Sequence, residues 1–114
     1  MESVRRARKA GVKIGLATDY LTDPLSPMGE NAVELDIYVN KIGFTPMEAI
    51  VCATKVNSEV LALQDKVGTL EPGKLADLLI VNGDPLKDIR ILRDKSNIAT
   101  ILKGGVPVPR LNLQ

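Results

Sequence analysis

Asp19 is the residue best placed for chemistry in this sequence. It follows directly on Val12 to Thr18, which reads as a strand with Val12, Ile14 and Leu16 on one face and the small Gly15 and Ala17 on the other. In α/β folds the reacting groups gather at the C-terminal ends of strands, so an acid at this junction is a site candidate. It also has a plain reading as a turn or helix-cap residue. The remaining candidates are weaker. The chain contains no histidine, so it cannot by itself complete a zinc site of the usual histidine type. Cys52 is the single cysteine. It has no partner for an internal disulfide and no imidazole to activate it as a nucleophile, and it reads as a small apolar core residue. Arg5, Arg6, Arg8 and Lys9 invite a phosphate-binding or membrane reading, against which stands the simpler one of a solvated helix face. The isolated glycines lack the spacing and the strand-to-helix setting of a phosphate loop.

The elements that must position Asp19 follow from pattern. Glu2 to Ala10 has the spacing of a short amphipathic helix, with Val4 and Ala7 on one side and Gly11 at its end. Tyr20 to Gly29, with Pro24 and Pro27, is expected to be a loop over the strand end that helps to shape a pocket. Asn31 is expected to cap a helix in which Leu35, Tyr38, Val39 and Ile42 recur at helical spacing and which Gly43 ends. Thr45-Pro46-Met47-Glu48 is a capping box with proline at the first helical position, and Phe44 stands at the staple position before it. Met47, Ile50, Val51 and Thr54 are expected to make the inward face of that helix. Asn57 or Ser58 is expected to cap a further short helix through Leu63.

Farther on, Pro72-Gly73 predicts a type II turn, because proline sets φ and glycine takes the positive φ that follows. Leu78 to Val81 is an unbroken apolar run, expected to be a strand covered on both faces. Gly83-Asp84-Pro85 closes it, and Ile89, Ile91 and Leu92 fall in a turn or helical segment. Ile98 to Lys103 and Val106 to Val108 are two strands joined by Gly104-Gly105, a strong hairpin signal.

Composition narrows the function classes. The 114 residues are 45% apolar, enough for one ordinary domain or part of a larger one. The formal net charge is +1, with two tyrosines, one phenylalanine and no tryptophan, which argues against a nucleic acid partner or an anionic membrane. With one cysteine, no signal peptide and no long apolar run, a reducing, cytoplasmic setting is expected.

The wording Gly68 to Ala76, then Asp77-Leu78-Leu79-Ile80-Val81 and Asp84-Pro85-Leu86, resembles the C-terminal part of metal-dependent amidohydrolases, in their imidazolonepropionase-like and Xaa-Pro dipeptidase-like branch. Ala53-Thr54, Asn57 and Leu61 before it, and Asn97-Ile98 and Lys103-Gly104-Gly105 after it, fall in the same order as in that family. The resemblance runs from Gly11 to Val106. It implies an α/β fold in which residues 1–66 are the last strand and helices of a (β/α)8 barrel and residues 67–114 are the trailing part of a small β-sandwich domain.

The same resemblance gives Asp19 a role. Ala17-Thr18-Asp19 is similar to the end of the eighth barrel strand, where the aspartate is both a metal ligand and the acceptor of a proton from the metal-activated water. Met28 stands where relatives often have a histidine. Absent are the His-x-His motif, the bridging lysine or other acid, and the later histidines of the family. The implied function is that of the C-terminal portion of a metal-dependent hydrolase of amide or peptide-like C–N bonds. A divalent metal, zinc, and a small amide or dipeptide-like substrate belong to the complete enzyme, and this chain alone is expected to be inactive and to bind no metal. The alternative is a non-catalytic module. In either case, unpaired apolar strand edges point to a homo-oligomer or to a partner chain supplying the rest of the barrel.

Overall fold

The computed structural model describes residues 1–18 and 29–109. Helix α1, Glu2–Lys9, has Glu2 in its first turn and Arg6, Arg8 and Lys9 in its last, the order favoured by the helix dipole. Gly11 follows at φ +75°, where the chain turns away. Val12 to Thr18, expected as a strand, runs here without a ladder. Strand pairing needs a neighbour, and none lies alongside among the described residues.

Helix α2, Val33–Ile37, continues without a break into a π-helical turn, Tyr38–Ile42. Asn31 does not cap it. The position before the helix is Ala32 in helical conformation, and the first turn is closed by the backbone carbonyls of Glu30, Asn31 and Ala32. Gly43 ends the helix at φ +99°, as its place in the sequence requires.

Helix α3, Pro46–Val51, starts on the expected capping box. Thr45 Oγ1 accepts from the Glu48 N–H, and Glu48 Oε2 accepts from the Thr45 N–H at 2.7 Å. The helix runs on through a π-helical segment, Cys52–Val56, into α4, Asn57–Val60. The residue before α4, Val56, is helical, so neither Asn57 nor Ser58 has the extended backbone of a cap. Ser58 is buried and donates to the Lys55 carbonyl, and the helix ends at Val60, before Leu63.

The inward face of α3 is also rotated from expectation. Ala49 is completely buried whereas Met47 is 52% exposed. Tyr38, Ile42, Phe44, Ala49 and Cys52 form the core cluster, with Val4, Ile14, Leu16 and Leu35 packed against it. A helix buries the residues that face the packed cluster, and here that face carries Ala49 and Cys52 beside Tyr38, Ile42 and Phe44. Tyr38 and Phe44 meet with ring centroids 5.0 Å apart.

The C-terminal part is a three-stranded antiparallel sheet in the order β1-β2-β3: β1 is Leu78–Val81, β2 Ile98–Lys103 and β3 Val106–Pro107. Lys74 N–H donates to the Glu71 carbonyl across Pro72-Gly73, with Gly73 at φ +89°, which is the predicted type II turn. The Gly104-Gly105 hairpin has both glycines at positive φ, as a type I′ turn requires. Asp77 braces it by accepting from the Gly104 N–H at 2.7 Å and pairing with Lys103.

β1 is not covered on both faces: Leu79 and Ile80 are 55% and 49% exposed. An apolar run reports that a strand can be buried, while the covering layer must come from elsewhere in the fold, and the described residues cover Leu78 and Val81 only in part. The segment between β1 and β2 contains the 3₁₀ turn Ile89–Arg93, whose Ile89 is 2% exposed, and this turn packs on α2. Among the described residues no helix is long and apolar enough to cross a membrane.

Candidate functional site

Asp19, the residue singled out from the sequence, lies outside the described residues, as does the expected Tyr20 to Gly29 loop up to and including Met28. What the structure places is the segment leading to it and the side chains that grip that segment. The Leu16 N–H donates to Asn57 Oδ1 at 2.9 Å, and Asn57 Nδ2 donates to the Leu16 carbonyl at 2.8 Å. One residue earlier, the Tyr38 hydroxyl donates to the Gly15 carbonyl at 2.8 Å. Lys13 Nζ pairs with Glu59 at 2.5 Å. The segment is thus held by side chains of the helical layer.

Local sequence explains why this grip is possible. A Cβ at position 15 would lie 2.5 Å from Asn57 Oδ1, so glycine is needed for the close approach. The Tyr38 hydroxyl has its pKa pushed up by burial, then by Cys52 and Glu34. Cys52 is buried in the core cluster as the small apolar residue the sequence suggested, and that burial raises its thiol pKa. Glu34, on α2, has its carboxyl raised by burial.

The basic cluster on α1 is tied into the fold. Arg8 donates to both carboxylate oxygens of Glu48 at 2.8 Å and lies 4.7 Å over the Phe44 ring. Arg5 Nε donates to the Ile42 carbonyl at 3.2 Å, closing the C-terminus of the π turn, and a further Arg5 nitrogen reaches the Lys41 carbonyl. Two of the four cations, Arg5 and Arg8, are therefore engaged in helix packing, whereas the sequence pattern alone reads the whole cluster as a solvated helix face.

An open, mostly apolar groove of about 310 Å³ lies beside the start of the gripped segment, lined by Val12, Ile14, Met47, Val51 and Val56 together with the charged Arg8, Lys13 and Glu48. Among the described residues no group of three or more Cys, Asp or Glu side chains is arranged to hold a metal ion. Sequence reasoning missed Asn57 and Tyr38 as holders of the Asp19 approach, because each also fits an ordinary helix pattern. The signal that could have found them was Gly15, a residue unfavourable in a strand unless something comes close to the backbone.

The ochratoxinase of Aspergillus niger is 34% identical over 106 residues, spanning 92% of this chain and 21% of that protein. Its crystal structure matches this one with a TM-score of 0.82 over 93% of this chain and 24% of the other. The imidazolonepropionase of Geobacillus kaustophilus is 35% identical over 101 residues, 89% of this chain and 24% of that protein. A Xaa-Pro dipeptidase with methionine bound in its active site matches with a TM-score of 0.80 at 36% identity, over 94% of this chain and 25% of that one. The chain therefore spans about a quarter of the length of these relatives. With the amidohydrolase family matching residues 1–108 and these backbones following its own, the chain belongs to the amidohydrolase family.

Proposed function

We propose that this chain is the C-terminal portion of a metal-dependent hydrolase of amide or peptide-like C–N bonds. The observation that carries the reading is the family match over residues 1–108, made with relatives of which the chain spans about a quarter. Residues 1–66 then correspond to the last strand and helices of a (β/α)8 barrel and residues 67–114 to the trailing part of a β-sandwich. The unladdered Val12 to Thr18 segment supports this, since a barrel strand pairs with neighbours that lie outside this chain.

Asp19 is the proposed catalytic residue and the proposed metal ligand of this portion. A carboxylate there can accept the proton of a water attacking an amide carbonyl. The donors of this chain do not by themselves fit a metal ion: histidine is absent from the sequence and the described residues form no metal cluster. The remaining ligands of a zinc or other divalent site must come from another segment, and the chain alone is proposed to be inactive. The substrate class is a small amide or dipeptide, by likeness to the Xaa-Pro dipeptidase and the imidazolonepropionase.

Joining the missing barrel strands to this chain, by fusion or co-expression, tests the reading. Turnover of Xaa-Pro dipeptides or cyclic amides should appear, and Asp19→Asn should lower it by about 100-fold or more. Near-normal turnover in Asp19→Asn would leave Asp19 as a cap residue. A second reading, a self-associating non-catalytic module, is favoured by one feature, the exposed apolar groove beside Val12. The same assay separates the two, because such a module gains no activity when the barrel is completed.

A further inference from the structure

We infer that Asn57 is a positioning residue whose carboxamide takes the place of a strand partner at Leu16, fixing the backbone that leads to Asp19 and occupying the pairing groups of that one residue. In extended backbone the N–H and C=O of one residue point to the same side, where a β-ladder would engage both. At Leu16 both are taken by one side chain, at 2.9 and 2.8 Å. A carboxamide offers one acceptor and two donors, so it presents to Leu16 what a facing peptide would present. Its second N–H is turned to the Ala53 carbonyl at 3.4 Å, which leaves the amide with no unused group.

Three further observations carry the inference beyond an ordinary buried hydrogen bond. Asparagine is a poor helix former, yet Asn57 sits inside the continuous helical run from Pro46 to Val60, where its own backbone needs no cap. Gly15 leaves room for the carboxamide at a distance no Cβ could share. Tyr38 fixes the adjacent Gly15 carbonyl from a second helix, so two consecutive peptide units are held by the helical layer. The described segment thus takes its register from α2 and from the run ending in α4. A partner strand can pair with it only by bypassing Leu16, a departure from the expectation that both edges are open.

The functional meaning of this clamp rests on the reading of Asp19 given above, and the clamp itself is measured separately. Amide hydrogen exchange on the full 114-residue chain should show Leu16 protected although it lies in no ladder. Asn57→Ala should speed exchange at Leu16 by about tenfold, the worth of one such bond, while amides of α3 such as that of Ile50 change little. If Asn57→Ala fails to fold, Gly15→Ala provides the second route, since its Cβ must push the carboxamide away and expose the same amide. Rapid Leu16 exchange in the unmodified chain would overturn the inference, and so would equal acceleration at Leu16 and Ile50, which is the mark of a general stability residue. In the reassembled enzyme, Asn57→Ala should lower kcat with little change in KM. Full turnover in Asp19→Asn with Leu16 still clamped would reject the role of Asp19 while upholding the clamp.

Discussion

Arg8 donates to both carboxylate oxygens of Glu48 at 2.8 Å, joining the last turn of α1 to the first turn of α3. Glu48 also closes the capping box on Thr45 and so serves two structures at once. The Arg8 hydrogen bonds, followed by the Thr45 N–H, hold its carboxyl well below the usual range, at about 2 against an ordinary 4.5. A carboxyl whose pKa falls on folding adds stability that is complete above its unfolded value. That stability should fade as pH drops from about 4.5 toward 2. The side chain is 45% exposed, so water screens the pair, and Glu48→Gln should cost roughly 1 kcal/mol at neutral pH. Thermal unfolding at pH 7 and pH 2.5 checks this: the gap between the two proteins should narrow at the lower pH.

Tyr38→Phe removes the hydroxyl that donates to the Gly15 carbonyl and keeps the ring against Phe44. The expected loss is about 1 kcal/mol, that of one hydrogen bond whose carbonyl can turn to water. Urea unfolding would measure it. A loss above about 3 kcal/mol would mean that the carbonyl is stranded in the core.

The chain by itself should hydrolyse no dipeptide, cyclic amide or other amide substrate, with or without added zinc. One carboxylate cannot replace the three or four ligands a catalytic zinc requires. Turnover by the purified chain that disappears in Asp19→Asn would refute this and would require ligands from within these 114 residues.

Assembly is the fourth expectation. Val12, Met47 and Val51 are exposed around the apolar groove, and β1 is a sheet edge with Leu79 and Ile80 open to solvent. Surfaces of this kind find partners. Light scattering at micromolar concentration should report a homo-oligomer, or a complex when the missing barrel segment is supplied. A compact monomer with one cooperative thermal transition would contradict it and would show these surfaces to be tolerated in water.

The features legible in the sequence are those whose causes are local. Thr45 and Glu48 satisfy the first turn of a helix within four residues, so the capping box could be read directly and is present. Pro72-Gly73 and Gly104-Gly105 carry their own dihedral constraints, and both turns form as read. The family was legible too, through the wording from Gly68 to Val81, although the place of Asp19 in a site was not, since its ligand partners are absent from the sequence and its own position lies outside the described residues.

What only the tertiary structure decided is which groups face which. Helical spacing in α3 was correct, but which of its faces is buried depended on where the Tyr38, Ile42 and Phe44 cluster meets it, and Ala49, not Met47, falls in that cluster. The apolar pattern of Leu78 to Val81 made a strand, yet whether both faces are covered depends on layers that no strand encodes by itself. Asn57 carries the same lesson at the candidate site. Its residue type allows a cap, a helix position or a clamp, and it became a clamp because a long-range fold brought the Leu16 backbone within hydrogen-bonding distance of its carboxamide.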